Sequence, residues 1–352
     1  MDLPLVGGLL HLLRSQPQVA LRDLAGKYGP VMFLRTGQVD TVVISSPAAA
    51  QEVLRDKDVT FASRPSLLVS EIFCYGNLDI GFAPYGAYWR MLRKLCTVEL
   101  LSTKMACGGE LQEQFLTALD EALKFSNGFC FGDLFPSLRF IDAMTGLRSR
   151  LERLRLQLDT VFDKIVAQCE SNPETTSSTT EWLMSELMRN PEVMAKVQAE
   201  VRGVFDNKSP QDHEGLLENL SYMKLVIKET LRLNPVLPLL LPHLCRETCE
   251  IGGYEIVEGT RVLINSWAMA RSPEYWDDAE KFIPERFEDG TADFKGSRFE
   301  YLPFGTGRRR CPGDIFAMAT LELIVARLLY YFDWSLPDGM QPEVLYHSQD
   351  VP

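Results

Sequence analysis

Long apolar runs are missing from this chain of 352 residues: none reaches transmembrane length, and no signal-peptide pattern opens the sequence. Its eight cysteines show no disulfide-framework spacing, and Cys245 and Cys249 stand four positions apart, one more than in a Cys-x-x-Cys motif. Internal repeats and low-complexity tracts are missing too. These absences predict a globular protein from a reducing compartment, without a disulfide scaffold.

An excess of positive charge is also missing. The chain has 48 acidic and 36 basic side chains, which gives a formal net charge of −12. Such a balance argues against a nucleic-acid-binding protein. The hydrophobic fraction of 46% and charged fraction of 24% are those of ordinary globular proteins, and the length suffices for one large domain or two average ones. The basic run Arg308-Arg309-Arg310 therefore serves a local purpose.

That basic run lies in a glycine-rich loop with a single cysteine, Phe304 to Gly313 (FGTGRRRCPG). Apolar residues then recur at helical spacing from Asp314 to Phe332, which predicts a helix that starts near Pro312. Cys311 is thereby expected at a helix N-terminus, where the dipole favours a thiolate. Gly305 and Gly307 allow a tight turn and a close approach to a flat ligand. A lone thiolate flanked by arginines suits haem iron with its two propionates.

Other interpretations of the loop remain open at this point. A single cysteine is commonly a small buried hydrophobic residue, and three arginines commonly form a solvated basic surface. A zinc site needs more ligands, and no Cys-x-x-Cys or Cys/His cluster accompanies Cys311.

The spacing of Phe304, Gly307, Arg309, Cys311 and Gly313 resembles the haem-binding signature Phe-x-x-Gly-x-Arg-x-Cys-x-Gly of cytochrome P-450, the family of haem-thiolate monooxygenases. The resemblance implies an oxidoreductase that carries haem b with the Cys311 thiolate as axial metal ligand. It also implies a mainly α fold with small β-sheets, in one domain over residues 1–352. Residues 1–65 and 235–265 are expected to form the β region, and 82–232 and 304–332 the helical haem-binding core.

Helical and strand patterns support that layout. Helices are predicted over 17–27, over 47–55 after a Ser46 cap, and over 222–233 after a Ser221 cap; strands are predicted over 31–34, 41–44, 251–254 and 260–264. Amphipathic helices over 111–123 and 148–169 resemble the pair that roofs the substrate pocket in the family, although two packed surface helices fit equally well.

Trp89 and Arg93 share one face of a predicted helix because they are four residues apart. On their own they are typical of an amphipathic surface helix. In the family, a Trp-x-x-x-Arg at this place sets indole and guanidinium against a haem propionate, which the resemblance implies here as well, together with Arg309.

Glu229 and Arg232 are three apart on the helix predicted over 222–233, and Arg286 follows in Pro284-Glu285-Arg286-Phe287. A Glu and an Arg at this spacing commonly form an exposed pair. In this order before the cysteine loop, the three residues resemble the family's Glu–Arg–Arg network. We therefore expect a buried structural network that stabilises the loop of Cys311.

Glu174 and Thr175 resemble the acid and threonine of the distal-helix motif Ala-Gly-x-Glu-Thr-Thr, which deliver protons in the family. The Ala-Gly positions hold Ser171 and Asn172, and Pro173 predicts a turn before the motif. Without the resemblance, Thr-rich sequence after a proline is simply a helix start.

His243 follows the apolar segment 235–241, which lines the substrate pocket in plant members of the family. An arginine that meets a propionate often occupies this position in those members. A lone histidine is more commonly a satisfied core or surface residue, so both a cofactor-binding role and a structural role are open.

Four departures from the family accompany the resemblance: no anchor helix, gaps near 106 and 171, and a replaced C-terminus, as in an incomplete or alternatively spliced product. The implied reaction inserts one oxygen atom of O2 into a small apolar, terpenoid-like substrate, with electrons from NADPH through NADPH-cytochrome reductase. An acidic reductase would meet Arg90, Lys94, Arg308 and Arg310. The family implies the cytosolic face of the endoplasmic reticulum membrane. A haem-thiolate protein without turnover, or a non-haem interaction protein, are the alternatives.

Overall fold

The computed structural model describes residues 16–97, 174–290, 293–294 and 296–336, with shorter pieces between 133 and 156. The predicted helix over 111–123, most of the one over 148–169, and the turn expected at Pro173 lie outside the described residues.

Over the residues described, the structure is mainly helical with two small sheets. Its helices are α1 (Pro17–Tyr28), α2 (Pro47–Gln51), α3 (Leu68–Phe73), α4 (Ala87–Leu95), α5 (Glu174–Arg189), α6 (Pro191–Phe205), α7 (His213–Leu216), α8 (Ser221–Leu233), α9 (Ser266–Ala270) and α10 (Asp314–Tyr331). A wider π turn, Glu52–Asp56, continues α2, and single 3₁₀ turns cover Leu217–Asn219, Pro284–Phe287 and Gly307–Arg309. The strands are β1 (Val31–Thr36), β2 (Val39–Ile44), β3 (His243–Leu244), β4 (Cys249–Ile251), β5 (Tyr254–Ile256) and β6 (Arg261–Ile264).

The larger sheet has the strand order β1-β2-β6-β3. β1 and β2 form an antiparallel hairpin in which Val31 faces Ile44, and β2 runs parallel to β6, where Ile44 faces Ile264. Of the two runs that predicted the first strands, the one in β2 is buried from Thr41 to Ile44, whereas in β1 Met32 is buried and Phe33 is exposed; Ile44 and Ile264 are fully covered. The sheet therefore joins two parts of the chain that are about 200 residues apart in sequence.

The small hairpin β4–β5 corrects the strand predicted over 251–254. Gly252 and Gly253 both have positive φ and form the turn, whereas the paired strands lie on either side of them. Within the predicted strand, the two glycines form the turn and their neighbours belong to the two paired strands. Two successive left-handed residues are favourable only for glycine.

Helices α5, α6, α8 and α10 form the main hydrophobic core. Apolar residues three and four apart on each helix point inward, and Leu187, Val197, Val226 and Val325 are fully buried there. Burial of side chains of this size contributes roughly 1.5–3 kcal/mol each. This core fixes α10, the helix that directly follows the cysteine loop.

The start of α8 corrects the predicted Ser221 cap. Ser221 is the first helical residue, and its hydroxyl donates to Glu200 Oε1 at 3.1 Å. The Glu200 carboxylate, from α6, accepts from the backbone N–H groups of Tyr222 at 2.8 Å and Met223 at 2.9 Å. The free N–H groups of this helix end are therefore capped by a neighbouring helix, which local sequence does not reveal.

Candidate active site

The cysteine loop is closed by its own backbone: Cys311 N–H donates to the Phe304 carbonyl at 2.9 Å. Gly305 and Gly307 both have left-handed φ angles, of 64° and 70°. A Cβ on Gly307 would lie 2.2 Å from the Leu54 carbonyl oxygen, whereas one on Gly305 would meet nothing within 4 Å. The glycines were expected to allow a close approach to a flat ligand. Gly307 instead makes its close approach to the backbone of the π turn.

Cys311 does not lie at the first turn of the helix. Gly313 is the N-cap and α10 begins at Asp314, so Pro312 precedes the helix as well. Burial raises the pKa of the Cys311 thiol, and the Gly313 N–H, Arg93 and Arg310 only partly oppose this effect. Cys311 itself is an exposed residue, and it lines the cavity described below. The helix end therefore does not favour the expected thiolate, because desolvation favours the neutral thiol. A metal bound to the sulfur would deprotonate the thiol directly.

A cavity of about 480 Å³ opens in front of Cys311, a volume typical of small-molecule and cofactor sites. One part of its wall is apolar and comes from the end of α8, the segment that follows it, and α10. The residues of this apolar wall are Leu231, Val236, Leu237, Leu240, Leu241, Phe316, Ala317, Met318 and Leu321. The other part of the wall carries charged and polar groups.

Trp89 and Arg93 lie on α4 and both line this cavity, whereas Tyr88, Met91 and Leu95 of the same helix are exposed. Trp89 is only 4% exposed, and its indole N–H donates to the Ile80 carbonyl at 2.9 Å. The Arg93 guanidinium donates to the carbonyl of Arg310, within the cysteine loop. Arg93 thereby ties α4 to the loop while its charge remains beside the cavity.

Arg309 lies between the loop and α4. Its guanidinium stacks over the Trp89 ring at 4.4 Å and donates to the carbonyls of Ala62, Ile80 and Ala83. Burial lowers the pKa of Arg309 to about 10, which leaves it charged at neutral pH. The side chain therefore holds the loop in place and presents a cation to the cavity.

Two further groups complete the polar wall. His243 is buried, and its Nδ1 lies 2.8 Å from the Phe61 carbonyl oxygen. Arg64, which no sequence motif marked, is 7% exposed and lines the same cavity. It donates to the carbonyls of Gly81, Leu241 and Pro242.

The three guanidinium groups of Arg64, Arg93 and Arg309 have no carboxylate at ion-pair distance among the described residues. Arg64 is buried and Arg93 and Arg309 are half-buried, and the nearest carboxylates act on them only from a longer distance, so the cavity fits a ligand that brings anionic groups. Haem b has an apolar flat body, two carboxylates and an iron that accepts a thiolate, and the apolar wall, the guanidiniums and Cys311 match these three features.

Glu229 contacts both arginines of the predicted network. Arg232 donates to its two carboxylate oxygens at 2.7 and 2.8 Å, and Arg286 Nε donates to Oε1 at 3.1 Å. The N–H of Ile283 adds a fourth bond at 2.8 Å. Glu229 and Arg232 are fully buried, so they do not form the exposed pair that their spacing also allowed.

The network holds residues 270–286 against α8. The Arg232 guanidinium also donates to the carbonyls of Ala270, Ala279 and Lys281. Within the described part of the chain, none of its hydrogen bonds reaches residues 304–313. Tyr301, three residues before the loop, packs on Phe287 and Trp276.

The distal-helix residues are only partly described. α5 begins at Glu174, so Glu174 and Thr175 occupy its first turn, and their side chains lie outside the described residues. Thr179, four residues beyond Thr175, is buried and lines the cavity. Its i+4 spacing from Thr175 is the signal that could have identified it. Phe304 also lines the cavity, with its ring 5.9 Å from that of Phe294.

Of the residues expected to form a basic surface, Arg90 and Arg308 both lie over the Tyr85 ring, and Lys94 is exposed on the same helix as Arg90. Arg310 pairs with Asp314 and Arg308 with Asp58. The guanidiniums of Arg90, Arg246 and Arg308 instead surround the Tyr85 ring, at 5.5, 5.5 and 5.7 Å from its centre. We call Tyr85 with these three arginines the Tyr85 patch.

The family model for cytochrome P450 matches residues 2–129 and 171–351. The chain belongs to the cytochrome P450 family. It is an oxidoreductase of the monooxygenase type, and the family carries haem b with a cysteine axial ligand, which the signature assigns to Cys311. The predicted family and the mainly α fold with small β-sheets are confirmed.

Related proteins and solved structures agree with this P450 assignment. The chain is 79% identical to 9-beta-pimara-7,15-diene oxidase of Oryza sativa subsp. japonica, over 97% of this chain and 86% of that protein. It is 39% identical to premnaspirodiene oxygenase of Hyoscyamus muticus, over 97% and 87%. A zebrafish cytochrome P450 structure with abiraterone superposes with a TM-score of 0.66 at 24% identity, over 92% of this chain and 94% of that one, which supports the fold alone.

The alignment with the pimaradiene oxidase spans 429 positions, more than the 352 residues of this P450, so the relative has residues at positions where this chain has none. In the part of the chain that the structure describes, no helix is both long and apolar enough to cross a membrane.

Proposed function

We propose that this P450 inserts one oxygen atom of O2 into a small apolar, terpenoid-like substrate, with electrons that originate from NADPH. The observation that carries the proposal is the single cavity that joins Cys311, a cluster of guanidiniums and an apolar wall. Two relatives are named as enzymes that oxidise dienes, 9-beta-pimara-7,15-diene and premnaspirodiene. An apolar wall binds such hydrocarbons through burial of their surface.

The cofactor roles follow from the donors around the cavity. Cys311 would supply a thiolate to the iron, and Arg93 and Arg309 would hold the propionates. Trp89 would support them by stacking on Arg309, because its one N–H is already bonded to Ile80. When bound, haem with a thiolate ligand supplies the activation of O2. Phe304 and Gly307 shape the loop, Gly313 caps α10, and the apolar residues of α10 that line the cavity would pack against the apolar body of the cofactor.

The chain's own residues exclude water and position the substrate. Val236, Leu237, Leu240 and Leu241 form the apolar wall from one side, and they favour a ligand without polar groups at those contacts. At the start of α5, Glu174 and Thr175 are assigned to move protons toward the reacting oxygen, by their match to the family motif.

The electron donor and the location of the enzyme are inferred from the family. We assign NADPH-cytochrome reductase as the partner and the cytosolic face of the endoplasmic reticulum as the location. The Tyr85 patch supports an acidic partner because its three arginines are concentrated on an otherwise acidic protein.

The deciding experiment is the reduced carbon-monoxide difference spectrum of the haem-loaded protein. Wild type should give the thiolate-type Soret shift, and Cys311→Ala should abolish it. Cys74→Ala is the matched control, since Cys74 is a free cysteine that does not line the cavity, and its spectrum should equal that of wild type. A thiolate-type shift that survives in Cys311→Ala would overturn the proposal.

A second candidate is a haem-thiolate protein with little or no turnover. The alignment favours it, because residues that the pimaradiene oxidase has are missing here. The two candidates share the Soret spectrum and differ in NADPH-dependent product formation with reductase: coupled oxidation of a diene supports the monooxygenase, and haem loading without product supports the second.

A further inference from the structure

We propose that Cys245 and Cys249 form a dithiol site, which a peroxide converts into a disulfide within one molecule. Neither cysteine lines the cavity of Cys311, so this site is separate from the chemistry proposed for that cavity. The spacing of the two cysteines matches no disulfide framework and no Cys-x-x-Cys motif. The fold brings their side chains together through the strands on either side of them.

The two cysteines meet beside Ile256. Cys249 is the first residue of β4 and faces Ile256 in the antiparallel hairpin β4–β5. Cys245 Sγ lies 3.7 Å from the carbonyl oxygen of Ile256 and 3.0 Å from that of Glu247. The two thiols are also in hydrogen-bonding contact with each other. Their sulfur atoms are therefore neighbours in the reduced protein, as a disulfide between them requires.

Backbone hydrogen bonds hold both cysteines in place. The N–H of Cys245 donates to the Thr260 carbonyl at 2.9 Å, and its carbonyl accepts from the N–H of Gly259 at 2.8 Å. Cys249 is held by its pairing with β5. Because both backbones are fixed, each thiol meets the other at a far higher effective concentration than any thiol in solution.

Burial gives the two thiols different roles. Cys245 is 1% exposed, whereas Cys249 is partly exposed. Burial raises the pKa of both thiols, that of Cys245 to about 11. At Cys249 the contact with Cys245 and the charge of Lys57 oppose this rise, while Glu247 and Glu52 add to it. Since the thiolate is the nucleophile, a peroxide should react slowly, and first with Cys249.

The reaction balances with hydrogen peroxide as the oxidant. The Cys249 thiolate attacks one peroxide oxygen, the O–O bond breaks, and the leaving hydroxide takes up a proton, which gives a sulfenic acid and water. Cys245 then attacks the sulfenic sulfur: the S–S bond forms, the S–O bond breaks, and the thiol proton leaves with the hydroxyl as a second water. Both sulfurs are oxidised and both peroxide oxygens are reduced. Thiol exchange reverses the bridge in a reducing compartment.

Tryptic mapping without reduction tests the proposal directly, because trypsin cuts after Arg246, between the two cysteines. After the haem-loaded protein is treated with hydrogen peroxide, peptides 233–246 and 247–261 should be joined in one species, about 2 Da lighter than their sum. Dithiothreitol should separate the peptides again. On a non-reducing gel the oxidised protein should still migrate as a monomer, because the bridge lies within one molecule.

Two variants test the order of the steps. In Cys245→Ser the sulfenic acid of Cys249 has no partner thiol, so its trapping by dimedone should exceed that in wild type at least about 10-fold. Cys249→Ser should form neither the joined peptides nor a dimedone adduct at the buried Cys245. Cys74→Ser is the matched control: Cys74 is a free cysteine at the end of α3, and its loss should leave the yield of joined peptides unchanged.

Three results would overturn the inference. One is a peroxide-treated wild type in which peptides 233–246 and 247–261 stay separate. Another is a joined species that forms only in a dimer, since the bridge would then link two molecules. The third is a dimedone adduct at Cys245 in Cys249→Ser as abundant as the one at Cys249 in Cys245→Ser, because burial would then not set the order of reaction.

Discussion

Glu229 serves two guanidinium groups with a single carboxylate in a fully buried place. Its four accepted hydrogen bonds satisfy both oxygens, and this full satisfaction is what makes a buried ion network tolerable. Removal of the one anion would leave Arg232 and Arg286 buried without counter-charge, a far larger effect than loss of an exposed pair.

Glu229→Ala should therefore lower the free energy of unfolding by about 3–5 kcal/mol. Urea titration of the haem-loaded protein measures it. Asp40→Ala is the control, because Asp40 pairs with Arg35 at 3.7 Å with both side chains more than half exposed; its effect should stay within about 0.5 kcal/mol. Equal midpoints for the two variants would show that the network does not stabilise the fold.

His243 predicts a pH dependence of stability. Because burial and Arg64 depress its pKa in the folded state, the unfolded chain binds the proton first as the pH falls. Stability is complete above the unfolded pKa of about 6.5 and is lost below it, down toward the folded pKa, with a limiting slope of about 1.4 kcal/mol per pH unit.

His243→Asn removes this titration. Between pH 7.5 and 5.5, wild type should lose about 1 kcal/mol more unfolding free energy than the variant. Urea titrations at the two pH values give the difference directly. A loss of the same size in both proteins would mean that His243 takes up a proton as readily when folded as when unfolded.

The site residues that belong to a short sequence motif were predictable from the sequence. Those that reach the site through contacts between distant parts of the chain were not. Cys311 and Arg309 lie in one contiguous motif, and Glu229 and Arg232 are three apart on a helix. Arg64 reaches the cavity only because residues 60–64 pair with 243–246, a contact that no local pattern encodes. The raised pKa of Cys311 was also missed, since desolvation depends on the whole surrounding structure.

At the scale of elements, the cysteine loop is held by segments from distant parts of the chain. Asp58 accepts from the Arg308 backbone N–H, and the π turn brings the Leu54 carbonyl against Gly307. The sequence predicted a helix over 47–55, but not that its end widens into a π turn on which the loop packs. Helices with clear apolar spacing were predicted within a few residues. The cap predicted at Ser221 was wrong because a neighbouring helix caps α8, and the strand predicted over 251–254 was wrong because two glycines form a turn there.

Gly305 and Gly307 allow a matched test of this packing. Both have positive φ, so alanine at either position costs about 1–2 kcal/mol of backbone strain. Gly307→Ala must also displace the Leu54 carbonyl or the loop, since its Cβ would lie 2.2 Å from that oxygen. We expect Gly307→Ala to destabilise the protein at least about twice as much as Gly305→Ala and to lower its haem content.

Thermal unfolding and the haem-to-protein ratio measure both variants. Equal losses at the two glycines would mean that the loop does not pack closely on the π turn. A larger loss at Gly305 would place the tight contact on the ligand side of the loop instead.

For the whole molecule, the distribution of charge matters more than its sum. The net charge of −12 repels an acidic partner at long range, yet three arginines gather at the Tyr85 patch beside the cysteine loop. Arg308 is partly neutralised by Asp58, so Arg90 and Arg246 carry most of the available charge. A local field of this kind steers association and weakens as salt screens it.

Reversal of both arginines, Arg90→Glu with Arg246→Glu, should therefore slow reduction of the haem by reductase at least about 10-fold at low ionic strength, and the difference from wild type should shrink in high salt. Stopped-flow reduction over a salt series measures this. Lys27→Glu with Lys208→Glu is the control: both lysines are exposed, and the net charge changes by the same amount outside the patch. If the control pair slows reduction as much as the patch pair, net charge rather than the Tyr85 patch governs the encounter. Steering by a local patch requires that the position of the charges sets the rate, and not only their number.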